Sequence, residues 1–394
     1  MPTKTVLGLQ YGDEGKGKVV DQLVESWADI VVRFQGGDNA GHTIYDEHGH
    51  KYVLHSLPTG VLKNKVLNII SRGCVVNPIS IIKEIKRLCV SHENLNISSG
   101  CPAILPHHIE IDKAKYQKKI GTRARGIGPT YTEYFSRSGL TLKDICFNFD
   151  KHKDFIVKQL QEATNVKSTD ENLISTIKDL KDACLYLKKF LIDDVEDLLQ
   201  KAYQSQKNIV LEGAQGWGLD IWSDFYPNVT CSSPSIGGAI VSTGLNHQQI
   251  DEVIGIAKAY KTRVGTGEFP TELFGDDINK VRIKLGEYGA TTSRPRRIGW
   301  IDLDELKLAC QRNGINHLII TRTDSMEEFP EIKYKLNNQI KHIDKWSLPE
   351  NVENLKRFIS IVSKATNVEN ISYSYGPKRN QIAWFEESYI QGAA

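Results

Sequence analysis

The run Gly12-Asp13-Glu14-Gly15-Lys16-Gly17-Lys18 fits the pattern Gly-x-x-x-x-Gly-Lys. Such a loop lets successive backbone N–H groups curl around phosphate oxygens at a helix N-terminus, with a lysine to neutralise their charge. The next residue is Val19, where phosphate loops ordinarily carry a Ser or Thr that ligates magnesium. A metal held here needs a carboxylate instead, and Asp13 is the candidate inside the loop. Alone, the motif reads equally well as a tight glycine turn joining a strand to a helix.

A second cluster, Gln35-Gly36-Gly37-Asp38-Asn39-Ala40-Gly41-His42-Thr43, follows the apolar run IVVRF. It falls at the carboxyl end of a strand, where α/β folds bind ligands. Its glycines bring backbone close to a ligand and His42 supplies an imidazole. A glycine loop offers His42 no core to pack in, so the residue reads as functional. The later run Thr291-Thr292-Ser293-Arg294-Pro295-Arg296-Arg297 reads, by itself, as a basic surface turn.

The elements that position these loops show in the apolar spacing. Residues 5–10 (TVLGLQ) form a strand-like run; from Lys18, the apolar residues Val19, Val20, Leu23 and Val24 recur at helical spacing. Further strands end at Phe34, Glu212, Thr321 and Tyr375. Asn77 and Pro78 read as N-cap and first helical residue, with Ile81, Ile82, Ile85, Leu88 and Cys89 as the buried helix face. Strands alternating with helices predict an α/β fold, with a mostly parallel sheet flanked by helices. Residues 144–206 are rich in Lys, Asp, Glu and Leu at helical spacing and read as a helical subdomain of one domain spanning 1–394. Lys113 to Lys119 read as a solvated helix face. Residues 43–53 are polar with a glycine, and read as a mobile segment that closes over nucleotide.

The chain has 394 residues, with 50 Lys and Arg against 48 acids. That net charge of +2 excludes the broad basic field of a nucleic-acid binder, so any anion site is local. Seven scattered cysteines form no C-x-x-C pair, and read as reduced, mostly core thiols of a cytoplasmic protein. The first residues lead straight into a strand-like run without a leader pattern, and no apolar run approaches membrane-spanning length.

QYGDEGKGK together with GG-x-NAGHT resembles the adenylosuccinate synthetase family. The resemblance extends through GIGP with Tyr131 and Arg137, EGAQG at 212–216, YPNVT at 226–230, KTRVGTGEFPTEL at 261–273, GATTSRPRRIGW at 289–300 and SYGP at 374–377, in matching order and spacing. It implies a P-loop-like GTP-binding ligase that joins L-aspartate to IMP through 6-phosphoryl-IMP, giving adenylosuccinate, GDP and phosphate. It also implies Mg²⁺ and a homodimer, with no nucleic acid or membrane as partner.

Residue by residue, the resemblance makes Asp13 the base at N1 of IMP and, with the Gly41 carbonyl, a Mg²⁺ ligand. Lys16 and His42 act on the transferring phosphoryl group. IMP falls to Asp13, Glu14, Gly15, Lys16, Asn39, Ala40, Gly41, His42, Thr122, Arg123, Gln215, Thr230 and Arg294, with the partner subunit's Arg137 on its phosphate. Aspartate falls to Val264 and to Ala290, Thr291, Thr292, Ser293, Arg294, Pro295 and Arg296, where guanidinium forks suit carboxylates. GTP falls to Gly12, Asp13, Glu14, Gly15, Lys16, Gly17, Lys18, Gly41, His42, Thr43, Arg296, Arg322, Thr323, Asp324, Ser374, Tyr375 and Gly376. Asp324 accepts from N1–H and the 2-amino group of guanine, a pattern adenine does not offer.

This chain departs from the family at Asp38, where a neutral or imidazole side chain is usual, at Arg123 in place of a phosphate-binding threonine, at Ser293 and at Arg322. Two rivals follow: a ligase for another 6-oxopurine nucleotide, and a non-catalytic guanine-nucleotide-binding paralogue. Asp13 argues against the first; Asp13, Lys16, His42, Arg294 and Arg296 together argue against the second.

Overall fold

The computed structural model describes residues 2–45, 50–167, 169–289, 294–348 and 351–384. Thr3–Gly8 forms a strand because its β-branched and leucine side chains suit a pleated surface buried on both faces. Successive residues enter different cores: Val6, Val31, Val210 and Ile319 pack on one side, and Leu7, Val32, Leu211 and Ile320 on the other. This period of two requires cover on both faces. The helix Lys16–Ser26 covers one, and the helices Leu303–Asn313 and Val352–Thr366 help to cover the other.

The main sheet has ten strands among the described residues. In spatial order they are Ile382–Trp384, Ile371–Ser374, His317–Thr321, Glu252–Lys258, Thr3–Gly8, Ile209–Glu212, Ile30–Arg33, Leu67–Ile70, Leu95–Ser98 and Leu191–Ile192. All neighbours are parallel except the edge strand Ile382–Trp384. The parallel α/β architecture expected from the alternation is therefore present, and the glycine loops leave the carboxyl ends of Thr3–Gly8 and Ile30–Arg33.

The helices Leu142–Phe147, Phe149–Thr164 and Glu171–Leu187 build a separate apolar cluster against Ile70, Leu95 and Ile97. The following helix, Val195–Gln204, packs Val195 and Leu199 into the main core instead. A second sheet of four strands, Tyr260–Arg263, Arg297–Asp302, Ile332–Leu336 and Gln339–Ile343, was not foreseen.

Asn77 caps Pro78–Arg87 as expected, its side chain accepting from the Ile79 and Ser80 N–H groups. That helix ends before Leu88, which still packs on the cluster from a partly buried position, whereas Cys89 takes a left-handed φ of 53° and is exposed. The other cysteines are free thiols, buried or half-buried. His42–Tyr45 and Lys51–Leu54 pair as an antiparallel hairpin, and the middle of the segment expected to close over nucleotide, 46–49, lies outside the described residues. No described helix is long and apolar enough to cross a membrane.

Candidate active site

The carboxyl ends of the central strands open into a cavity of about 930 Å³. The phosphate loop enters it by a sharp reversal, with Gly12, Asp13 and Gly15 all at positive φ (86°, 60° and 97°). Glycine and, less readily, aspartate tolerate that region. Glu14 locks the turn from beneath: its side chain is fully buried, and its carboxylate accepts from the N–H groups of Gln10 at 3.1 Å and Gly12 at 2.8 Å. A Cβ at Gly8 would come within 2.4 Å of that carboxylate, so the strand needs glycine there. Glu14 thus offers a ligand its backbone rather than its side chain. Lys16 Nζ donates to Glu14 Oε2 at 2.6 Å and to the Gln215 carbonyl at 2.5 Å.

Asp13 lines the cavity with Lys16, Asn39, Gly41, His42, Gln215 and Thr230, and its Oδ2 lies 2.9 Å from Arg296 Nε. His42 is 7% exposed, so the expectation of a loop with no packing around the imidazole was wrong. Its Nδ1 lies 2.5 Å from Glu212 Oε1, which also accepts from the Thr59 hydroxyl. Burial pushes the imidazole towards its neutral form, against the attraction of Glu212. Burial would raise the Glu212 carboxyl too, but His42, Arg33 and the Thr59 N–H hold it below the usual range. The pair is therefore a carboxylate accepting the Nδ1 proton of a neutral histidine.

Around Asp13 lies a cationic wall. Arg123 donates to the Asn39 carbonyl at 2.8 Å, with Arg125, Arg294 and Arg296 acting on it. Arg123, Arg125 and Arg296 line the cavity; Arg294 is exposed and does not. Val264, Thr122, Ala40, Gly41 and Thr43 also line it, whereas Pro295 is exposed beside Arg294 and 290–293 lie outside the described residues. Asp38 does not reach the cavity; it is buried behind the loop, 3.9 Å from Arg125 Nη1, and burial raises its pKa. Lys113, Lys115, Lys118 and Lys119 are all exposed, as a solvated face requires, and Lys119 also lines the cavity.

At the far end stand Arg322, Asp324, Ser374 and Gly376. Thr323 is fully buried and Tyr375 is partly exposed, and neither lines the cavity. Thr323 instead braces the turn, its N–H and hydroxyl both donating to the Ser374 carbonyl. Lys18 points to this end, donating to Ser374 Oγ at 2.6 Å and to the carbonyls of Gly376 and Gln381 at 2.7 and 2.9 Å. Burial lowers its pKa to about 8, against the pull of Asp324. Arg137 is exposed, at φ 66°, and lies outside the cavity of its own chain.

Two groups of side chains invite a metal. Asp13 and the Gly41 carbonyl share the cavity with the phosphate loop, an oxygen-only set that suits Mg²⁺ completed by phosphate and water. His107, His108 and Glu133 also cluster. There the Leu105 N–H donates to His108 Nδ1 at 2.9 Å, so the proton of the neutral ring sits on Nε2, facing Glu133 at 3.0 Å. A protonated nitrogen is not a ligand, and the cluster reads as a buried hydrogen-bonded group.

A family model described as adenylosuccinate synthetase matches residues 5–362. The adenylosuccinate synthetase of Cytophaga hutchinsonii is 43% identical over 86% of this chain and 81% of its own length. That of Buchnera aphidicola is 38% identical over 98% of each chain. Among solved structures, the fully ligated adenylosuccinate synthetase of Plasmodium falciparum superposes with a TM-score of 0.90 at 30% identity, covering 98% of this chain and 100% of that one. The succinoaminodeoxyadenylate synthetase of cyanophage S-2L, bound to dGMP and dATP, has a TM-score of 0.67 at 17% identity, a likeness of fold alone.

Proposed function

This chain belongs to the adenylosuccinate synthetase family and carries out the GTP-dependent ligation of L-aspartate to IMP in AMP biosynthesis; we propose that the cavity around Asp13 is where it does so. The observation that carries the assignment is convergence: the phosphate loop, the Asn39–Thr43 loop and the Arg322, Asp324 and Ser374 group open into one space.

Asp13 takes the N1 proton of IMP, which places negative charge on O6. O6 attacks the γ-phosphorus of GTP, the bond to the β-phosphate oxygen breaks, and GDP leaves. The aspartate amine then adds at C6 of 6-phosphoryl-IMP and loses a proton as phosphate departs, giving adenylosuccinate. Lys16 turns from Glu14 to the incoming phosphates. A phosphoryl oxygen at His42 Nε2 favours a second proton on the ring, and Glu212 stabilises the imidazolium that results. Asp13 and the Gly41 carbonyl would hold Mg²⁺, which, when bound there, would neutralise charge on the transferring group.

Asn39, Thr122, Arg123, Gln215 and Thr230 receive IMP, with Arg123 serving its phosphate in place of the usual threonine. Val264 and residues 290–296 receive aspartate. Asp324 reads guanine, beside Arg322 and the Ser374–Gly376 turn. The enzyme acts as a homodimer in which the partner subunit's Arg137 completes the IMP phosphate site; its exposure and its absence from its own cavity support this. The helices within 144–206 support the site as part of one domain. Free thiols agree with a reducing cytoplasm.

The test is purified protein with GTP, Mg²⁺, IMP and aspartate, each omitted in turn, followed for adenylosuccinate. Product in the complete mixture alone is expected. GTP binding without product identifies a non-catalytic module, and product from dGMP but not IMP identifies the other 6-oxopurine ligase.

A further inference from the structure

Behind Asp13 lies a charged group that the reaction scheme leaves unused. Glu287 is fully buried, and Lys258, at the end of its strand, is 2% exposed. Lys258 Nζ donates to Glu287 Oε1 at 2.9 Å and to the Thr262 hydroxyl at 2.8 Å, and the Tyr260 hydroxyl donates to the same carboxylate oxygen at 2.5 Å. The other oxygen, Oε2, accepts from Arg296 Nη1 at 2.6 Å. Arg296 in turn presents Nε to Asp13. Lys258, Glu287, Arg296 and Asp13 thus form a line of alternating charge from the interior to the cavity.

The backbone ties the same residues. The helix Asp276–Leu285 ends at Gly286, with φ 62°, which turns the chain so that Glu287 points inward. The Arg296 N–H donates to the Glu287 carbonyl at 2.9 Å, and Gly289 N–H to the Arg294 carbonyl at 2.8 Å. Arg282 Nε donates to the Arg296 carbonyl at 2.8 Å. Glu287 and Arg296 are therefore paired across the segment that contains 290–293.

We propose that Glu287, backed by Lys258 and Tyr260, is a positioning residue for the ligation: it fixes the Arg296 guanidinium at the base of the aspartate loop. A guanidinium on a long flexible stem, next to the carboxylate of Asp13, has a second arrangement open to it, a bidentate pair that engages both Asp13 oxygens. Glu287 opposes the end-on form of that pair, which uses Nη1 and Nη2, by claiming Nη1 from the far side. Asp13 then meets Nε by charge alone, without a hydrogen bond, and Nη2 has no acceptor among the described residues, so both N–H groups are left for an anionic ligand. Burial makes the hold firm, because either charge left alone in that interior is strongly disfavoured.

The inference rests on the reading of Arg296 as an aspartate-site residue, and a double-mutant cycle separates the two. Wild type, Glu287→Gln, Arg296→Lys and the double variant are compared for kcat/KM of aspartate at saturating IMP and GTP, with IMP affinity and Tm measured alongside. Glu287→Gln is expected to lose about tenfold or more in kcat/KM with IMP affinity within about threefold, and to lose little further in the Arg296→Lys background. An equal loss in both backgrounds overturns the proposal, since Glu287 then acts independently of Arg296. Unchanged kcat/KM in Arg296→Lys alone refutes the Arg296 reading instead. Should Glu287→Gln fail to fold, Lys258→Met combined with Glu287→Gln removes both buried charges; normal kcat/KM in that protein likewise overturns the proposal.

Discussion

Replacing Asp13 by asparagine separates binding from chemistry. Asp13 sits at φ 60°, a conformation asparagine adopts as readily, so Asp13→Asn keeps the loop and removes a charge and a base. The stability cost is small: its contact with Arg296 is partly screened, the side chain being 25% exposed, and is worth about 1 kcal/mol or less. Arg296 also keeps its bond to Glu287. Loss of general-base assistance costs roughly 10² to 10⁴ in turnover, about 3 to 5.5 kcal/mol of barrier. Turnover should therefore collapse while Tm and IMP affinity change little. The assay is initial-rate adenylosuccinate formation at saturating substrates across a Mg²⁺ titration, with IMP binding by calorimetry. Turnover within about threefold of wild type at saturating Mg²⁺ would reduce Asp13 to a metal ligand and refute the base role.

Guanine recognition by Asp324 predicts strong preference for GTP over ATP, since adenine strands a carboxylate at a cost of roughly 1 to 3 kcal/mol or more; equal kcat/KM for the two triphosphates removes Asp324 from that role. Sites shared between subunits predict that mixing Arg137→Leu with Asp13→Asn protein restores activity above either parent; heterodimers with no gain exclude the shared site. Burial opposes charge on Glu133, but hydrogen bonds from His107 and His108 outweigh it and hold the carboxyl at about 2 against an ordinary 4.5. Because the folded value is the lower one, this stabilisation is present above pH 4.5 and disappears as pH falls towards 2. The Tm deficit of Glu133→Gln should shrink across that window, and a deficit constant with pH argues for packing alone.

The legible parts of the molecule were those written in short stretches. The apolar runs at 5–10 and 317–321, the Asn77-Pro78 start and the glycine loops at strand ends all act through near neighbours. The second sheet was legible too and was missed: residues 332–343 alternate around Asn337-Asn338, both at positive φ (55° and 58°), the signature of a tight hairpin turn. Other features have no local trace. Glu212 meets His42 from 170 residues away, and Lys258 meets Glu287 from 29. No spacing rule announces such pairs, so His42 was read as lying in an open loop. Thr323 and Tyr375 sit beside cavity residues in sequence and face elsewhere, because adjacent residues leave a strand end in different directions.

The strand order also governs how the enzyme is made. Thr3–Gly8 precedes every other strand of its sheet in sequence, yet its flanking strands are Ile209–Glu212 and Glu252–Lys258. Ile30–Arg33, Leu67–Ile70 and Leu95–Ser98 pair among themselves early and present an edge to which Ile209–Glu212 later adds. Thr3–Gly8 pairs on that strand, and Glu252–Lys258, His317–Thr321 and Ile371–Ser374 lie beyond it. Contacts so distant in sequence slow folding and leave an apolar strand exposed during synthesis, a load carried by chaperones. They also tie the phosphate loop to the middle of the chain: the turn after Thr3–Gly8 is flanked on both sides by strands, Ile209–Glu212 and Glu252–Lys258, that are synthesised long after it.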